Sequence, residues 1–146
     1  MAGLGEPTPQ KGLADNQTYF MCEDKQGRLW LGYHSSSGLS SFDGTQFKHY
    51  TSAQGLANDA VFSLGVDRQG NLWIGTARGV DRFDGQTFTN YGVEEGYADN
   101  ESNAGGFFAD QDGTLWFGTA GGLSHYDPRL DLTGGDPPPV SYTHLT

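Results

Sequence analysis

The chain has 146 residues and a formal charge of −10, from eight basic and eighteen acidic side chains, with 23 Gly, 6 Pro and one Cys. That charge argues against a nucleic-acid phosphate backbone as partner, no apolar run approaches the ~20 residues of a membrane helix, and the single Cys22 forms no intrachain disulfide. Glycine at roughly twice its usual ~7%, without a G-X-Y period, excludes collagen and favours turn-dense β structure.

Taken in chain order, the first ten residues, MAGLGEPTPQ, lack the basic and apolar stretches of a signal peptide. From residue 12 one unit is then written three times. Leu29-Trp30, Leu72-Trp73 and Leu115-Trp116 recur every 43 residues, inside EDKQGRLWLGY, VDRQGNLWIGT and ADQDGTLWFGT. An Asp stands six residues before each Trp and a Gly three before it. GLADN, GLAND and GYADN precede these segments; GLSSFDGTQFKHY, GVDRFDGQTFTNY and GLSHYDP follow them. The expected organisation is an N-terminal tail (1–11), repeats at 12–54, 55–95 and 96–139, and a C-terminal tail (140–146).

A period near 43 residues suits a helical pair or a four-stranded propeller blade. The short aromatic and β-branched segments alternate as half-buried strands do. Gly and Asp interrupt every few residues, at about 1 kcal/mol per internal helix Gly, so helices are excluded. In the second repeat the pattern predicts strands A to D at 60–66, 72–76, 80–83 and 87–91. The D-R-Q-G and F-D-G segments supply the tight turns. Neighbouring blades must stack on each other, and Trp30, Trp73 and Trp116 are the natural wedges, with Phe42, Phe83 and Tyr126 beside them. The third repeat ends in PRLDLTGGDP where the others have a D strand. The tail V-S-Y-T-H-L replaces that strand, pairs with another chain, or is a remnant foreign to the fold.

The pattern D-x-x-G-x-L-W-x-G-T-x-x-G-[LV]-x-x-[FY]-D resembles the repeats called two-component regulator propellers, over about residues 12–128. The resemblance implies the ligand-sensing region of bacterial hybrid histidine kinases, outside the cytoplasmic membrane, here without the kinase. DPPPV at 136–140 is similar to the junction where such propellers give way to an immunoglobulin-like domain. The fold expected is therefore all-β: a propeller fragment of three four-stranded antiparallel blades. Propellers usually have about four to eight blades, so two chains are expected to close a six-bladed ring as a homodimer.

Loops alternate between the two ends of such blades. The D-to-A connections, carrying Asp15, Asn16, Asn58, Asp59, Asp99, Asn100 and Glu101, share one end with the B–C loops, which carry Tyr33, His34, Thr76, Arg78 and Thr119. Binding residues gather on such loops. Asp15, Asn16, Asn58, Asp59, Asp99, Asn100, Glu101, His34 and Arg78 are therefore the candidate ligand-binding set, for a small polar ligand or a glycan. Asp15, Asp59, Asp99 and Glu101, doubled in a dimer, form an acidic ring suited to Ca²⁺ or Mg²⁺ or to sugar hydroxyls. The competing reading is that each Asp or Asn closes its own turn. An enzyme alternative is a metal-dependent hydrolase or lyase, with His34 and Asp59 as catalytic groups. A third is a self-assembling scaffold. Zinc lacks a ligand pair such as H-x-x-x-H, and no nucleophile elbow, P-loop or dinucleotide fingerprint occurs. Binding is thus preferred to catalysis. Asp24, Asp67 and Asp110 are read as structural, and His49 and His125 as solvent-facing. The two extra residues between Gly96 and Asp110, with two Gly on the inner strand, give room that opens the channel, or the Gly simply fit a crowded axis.

Overall fold

The computed structural model describes residues 12–33, 35–130 and 140–143. The expected tail 1–11, His34, residues 131–139 and residues 144–146 lie outside the described residues, and with them most of the DPPPV segment.

The first blade comprises β1 (Phe20–Glu23), β2 (Leu29–Gly32), β3 (Leu39–Phe42) and β4 (Phe47–Tyr50). The second comprises β5 (Val61–Val66), β6 (Leu72–Thr76), β7 (Gly79–Phe83) and β8 (Phe88–Tyr91). The third comprises β9 (Ser102–Ala109), β10 (Leu115–Thr119), β11 (Gly122–Tyr126) and β12 (Val140–Thr143). Each is an antiparallel meander of four strands in sequence order, so the all-β, three-blade architecture stands. β12 pairs with β11 from Tyr126↔Val140 to Leu123↔Thr143, so residues 140–143 occupy the place of an outer strand on blade 3. Pro128–Leu130 forms a short 3-10 turn instead, because proline has no N–H for a ladder.

The repeated Asp explains each A–B hairpin. Asp24 accepts the Gln26 and Arg28 backbone N–H groups (both 2.9 Å) and the Trp30 indole N–H (2.8 Å). Asp67 accepts the Asn71 N–H and the Trp73 indole N–H (both 2.8 Å), and Asp110 accepts the Trp116 indole N–H at 3.3 Å. One carboxylate thus closes the turn and satisfies the buried indole six residues on. Although burial opposes ionisation of Asp24, the bonds from Trp30 and Arg28 outweigh it and hold the carboxyl below its ordinary range. The second turn of blades 1 and 2 uses the same device: Asp43 accepts from the Thr45 and Gln46 backbones, Asp84 from those of Gln86 and Thr87.

The cores lie between blades. Trp30, Leu39, Leu56, Val61, Leu72, Ile74 and Phe83 fill the joint of blades 1 and 2. Trp73, Val80, Tyr91, Tyr97, Leu115, Phe117 and Tyr126 fill the joint of blades 2 and 3. Each wedge is held by the Tyr of its own outer strand (Trp30–Tyr50 5.4 Å, Trp73–Tyr91 5.5 Å) and by the ring of the next blade's third strand (Trp30–Phe83 5.7 Å, Trp73–Tyr126 4.9 Å). The expectation that Phe42 accompanies Trp30 needs correcting. Trp30 pairs with Ser41 across the sheet, so Phe42 points to the opposite face, where it stacks on Phe47 at 4.5 Å. Trp116 is only half-buried and stacks on His125 at 4.1 Å. His125 is half-buried by that contact on the outer face of blade 3, whereas His49 is exposed and hydrogen-bonds Ser40 at 2.7 Å.

The innermost strands β1, β5 and β9 pack side by side. The two extra residues of the third repeat appear as a bulge: Phe117 pairs with Phe107 and Thr119 with Ser102, so five positions on β9 answer two on β10. Asn103, Ala104 and Gly105 are exposed there, and the Asn103 amide donates to the Thr119 carbonyl at 2.9 Å. Phe107 reaches back onto Gly65, where a Cβ would lie 1.9 Å from its ring.

Candidate functional site

The D-to-A connections and B–C loops do share one end. The Gly38 N–H donates to the Asp59 carbonyl (2.9 Å), the Gly79 N–H to the Asn100 carbonyl (2.5 Å) and the Ala120 N–H to the Glu101 carbonyl (2.8 Å). Each connection carries an Asx pair whose first residue has one fixed duty, and in the connections into blades 2 and 3 the second residue has another. The first residue closes an Asx turn on the residue two further on: Asp15 with the Gln17 N–H (2.9 Å), Asn58 with that of Ala60 (2.9 Å), Asp99 with that of Glu101 (3.0 Å). The second accepts the N–H that opens a short 3-10 turn seven residues earlier: Asp59 from Ser52 (2.7 Å), Asn100 from Val93 (2.8 Å). A carbonyl-type oxygen is what both duties need, so Asp and Asn interchange between blades.

The expected ligand residues are accordingly distributed. Asp15 and Asn16 stand on blade 1, Asn58 and Asp59 lead into blade 2, and Asp99, Asn100 and Glu101 lead into blade 3. Asp15 also accepts the hydroxyls of Ser35 and Ser37, and the Ser35 bond, followed by the Gln17 N–H, holds its carboxyl below the ordinary range. Asp59 also receives the Ser52 hydroxyl at 3.5 Å. Among the described residues of one chain, no three His, Cys, Asp or Glu side chains gather closely enough to hold a metal ion. Burial, helped by Asp24, pushes the Cys22 thiol up to about 11, which disfavours its thiolate.

Two expected residues do meet. Arg78 and Asn100 line a cleft of about 270 Å³ at the junction of blades 2 and 3, with Asn90, Gly92, Val93 and Glu94. The sequence reading missed these last four. Arg78 is placed by its N–H bond to the Thr76 hydroxyl (3.0 Å) and by the Asn90 amide on its carbonyl (3.0 Å). Asn90 also donates to Asp81 at 2.9 Å. Val93 and Glu94 are exposed on the 3-10 turn that Asn100 pins. The lining therefore combines a guanidinium fork, a carboxylate and two carboxamides around an apolar Val93. This set can match hydroxyls, a carboxylate, or both.

Behind the cleft lies Asp81, fully buried. Burial pushes its carboxyl up to about 6, against bonds from the Ala57 N–H and Asn90. The same position in blade 3 is Ser124, whose hydroxyl accepts the Ala98 N–H at 2.9 Å.

Three stacked meanders joined by buried tryptophans, with their loops gathered at one end, are β-propeller blades. The family model described as Two component regulator propeller matches residues 12–35, 55–78 and 96–121, just over half of the chain, and the chain belongs to this family. Among solved structures, the fold is similar to the extracellular domain of BT3049 from B. thetaiotaomicron, described as a hybrid two component system. The TM-score is 0.74 at 18% identity, over 86% of this chain and 18% of that one. The extracellular domain of BT4673 from the same organism gives 0.72 at 21% identity, over 90% and 18%. Virginiamycin B lyase from Staphylococcus aureus gives 0.65 at 16% identity, over 89% and 43%. The chain thus spans under a fifth of the two sensor-system structures. No match was found among curated proteins.

Proposed function

We propose that this chain is a sensor-type binding module, without kinase activity of its own, that recognises a small polar ligand of the glycan class on its loop end. The observation that carries the reading is the Arg78–Glu94–Asn100 cleft at a blade junction. Its volume lies near the lower end of the ~300–1,000 Å³ typical of ligand sites, a size for one or two sugar rings. Arg78 and Asn100 supply donors and Glu94 an acceptor, the combination that vicinal hydroxyls or a sugar carboxylate require. Family membership supports a place in a two-component pathway. The extracellular origin of the similar structures supports a location outside the cytoplasmic membrane, and among the described residues no helix is long and apolar enough to cross one. Binding is favoured over metal-dependent hydrolysis or lysis because Asp15, Asp59 and Asp99 are each engaged in closing backbone turns. The likeness to the lyase is one of fold.

The test is a thermal-shift screen of neutral and acidic mono- and disaccharides against the wild-type chain and Arg78→Ala. A ligand that raises the melting temperature of the wild type but not of Arg78→Ala supports the reading. Equal shifts in both, or none across the panel, contradict it.

A further inference from the structure

Asp81 stands at a position that recurs in every blade, two residues after Gly38, Gly79 and Gly122. Its counterparts are Ser40 and Ser124, and all three side chains are buried. In blade 3 the Ser124 hydroxyl accepts the Ala98 N–H at 2.9 Å, and in blade 2 the Asp81 carboxylate accepts the Ala57 N–H at 2.7 Å. A hydroxyl thus suffices to hold the connection, and the fold does not call for a buried carboxylate there. The carboxylate also takes a bond from the Asn90 amide at 2.9 Å, and Asn90 lies on the wall of the Arg78 cleft.

The Asn90 Nδ2 faces three acceptors: the Arg78 carbonyl (3.0 Å), the Val80 carbonyl (3.5 Å) and Asp81 Oδ1 (2.9 Å). An amide nitrogen only donates and its oxygen only accepts, so these neighbours fix the nitrogen inward and leave Oδ1 toward the cleft. Neutralising Asp81 reverses that demand. A protonated carboxyl that is fully buried must give its O–H an acceptor. The Ala57 group is itself a donor, so the acceptor is Asn90 Oδ1, once the amide has turned over. The Arg78 carbonyl then loses its partner, but it belongs to an exposed residue where water can replace the bond. The turned amide presents its NH2 group to the cleft.

The surroundings of Asp81 carry little charge. It faces Ile74 across β6 and Asn90 across β8, and Ile74 and Phe83 on that face belong with Leu56 to the apolar joint of blades 1 and 2. Arg82 lies on the opposite face, over Trp73 and Tyr91 at 5.9 and 5.7 Å. On the connection, Asp59 is engaged by Ser52, and Arg78 and Glu94 are exposed at the cleft. Burial is the largest influence on the Asp81 carboxyl and raises it to about 6, so the exchange lies near neutrality. We propose that Asp81 is a positioning residue for the cleft: through Asn90 it offers the ligand an acceptor when ionised and a donor when neutral. With Glu94, the outward oxygen gives two acceptors for the hydroxyls of a neutral sugar. With Arg78 and Asn100, the outward NH2 gives three donor groups for a sugar carboxylate. The change in sugar preference rests on the reading of the cleft as a saccharide site, whereas the exchange between Asp81 and Asn90 does not.

NMR of the isotope-labelled, unliganded chain tests the exchange. The Asn90 side-chain NH2 resonances, assigned by their loss in Asn90→Ser, should move between pH 7.5 and pH 5 with a midpoint of about 6. They should no longer move over this range in Asp81→Asn, and should still move in Glu94→Gln. Binding of glucose and of glucuronate, whose carboxylate stays ionised over this range, tests the consequence. From pH 7.5 to pH 5 the dissociation constant should rise about fivefold for glucose and fall about fivefold for glucuronate, the worth of one hydrogen bond. Asp81→Asn should show the acid-state preference at both pH values, which a general effect of pH on an acidic ligand would not produce. Asn90 resonances that do not titrate, or that titrate unchanged in Asp81→Asn, would overturn the proposal, as would parallel changes for the two sugars. Should neither sugar bind while the Asn90 resonances titrate, the saccharide reading falls and the exchange stands.

Discussion

Replacing Asp81 with Asn should stabilise the protein at neutral pH, and only there. Asp81 is fully buried on β7; among the described residues its hydrogen-bond donors are the Ala57 N–H at 2.7 Å and the Asn90 amide at 2.9 Å, neither of them charged. Burial raises its carboxyl from 3.8 to about 6. An acid with a raised folded pKa contributes stability that is complete below the unfolded value and lost as pH rises through the folded one. The gap between 3.8 and about 6, at about 1.4 kcal/mol per pH unit, amounts to about 3 kcal/mol lost between pH 4 and pH 6. Asn keeps the oxygen that Ala57 needs and carries no charge. It obliges Asn90 to turn its own oxygen inward, at about 1 kcal/mol for a rearranged hydrogen bond. The net gain expected at pH 7.5 is therefore about 2 kcal/mol, falling to zero or slightly below near pH 4. Urea unfolding followed by tryptophan fluorescence at four pH values gives the difference directly. The other shifted carboxylates cancel between wild type and variant. A variant less stable at pH 7.5, or a difference that does not change with pH, would refute the burial account.

Three further outcomes follow from the geometry. Asp67→Ala strands the Trp73 indole N–H and the Asn71 N–H and should cost about 2–3 kcal/mol, whereas Asp110→Ala, beside a longer bond to a half-buried Trp116, should cost about 1 kcal/mol in the same urea titration. Gly79→Ala should be far worse than Gly85→Ala in a thermal melt. Both glycines have positive φ (+87° and +104°), but a Cβ at 79 would lie 2.3 Å from the Tyr91 carbonyl oxygen, while one at 85 meets nothing within 4 Å. Backbone strain alone costs about 1–2 kcal/mol, so a comparable loss at both sites would contradict the packing of that loop. Asn100→Asp should leave stability within about 0.5 kcal/mol of wild type, because an Oδ acceptor is all that the Val93 N–H requires; Asn100→Ala should cost about 1–2 kcal/mol.

Much of the fold is readable in the sequence because its signals are local and repeated. The predicted strands at 60–66, 72–76, 80–83 and 87–91 fall within a residue of β5 to β8, since alternation and Asp-Gly turns bound each one. Strand parity also contained the answer for Phe42: Trp30 and Phe42 lie on strands joined by one hairpin, in a register that sends them to opposite faces. The Asx pairs were legible as well. Asp15, Asn58 and Asp99 share one position, and Asn16, Asp59 and Asn100 the next. Exchange of charge within a position shows that the oxygen matters and the charge does not. The cleft was less legible. Asn90, Val93 and Glu94 come to Arg78 only because a 3-10 turn at Val93–Glu95 folds over the end of β8. The sole hint was the matching turn of repeat one, T-S-A-Q-G, where Thr51 and Gln54 form a capping box. The stacking of Trp116 on His125 depends on what covers blade 3, which no local pattern encodes.

Buried tryptophans, Asx turns and carboxylate-closed hairpins hold the blades, and the proposed recognition falls to the loop junction of blades 2 and 3. The most direct test is an amide-resolved NMR titration of the isotope-labelled chain with the best saccharide from the thermal-shift panel. Shifts confined to Arg78, Gly92, Val93, Glu94 and Asn100, absent in Arg78→Ala, are the predicted result. Shifts centred on the A–B turns around Asp24, Asp67 and Asp110, or spread evenly over all three blades, would contradict the assignment of the blade 2–3 cleft as the binding site.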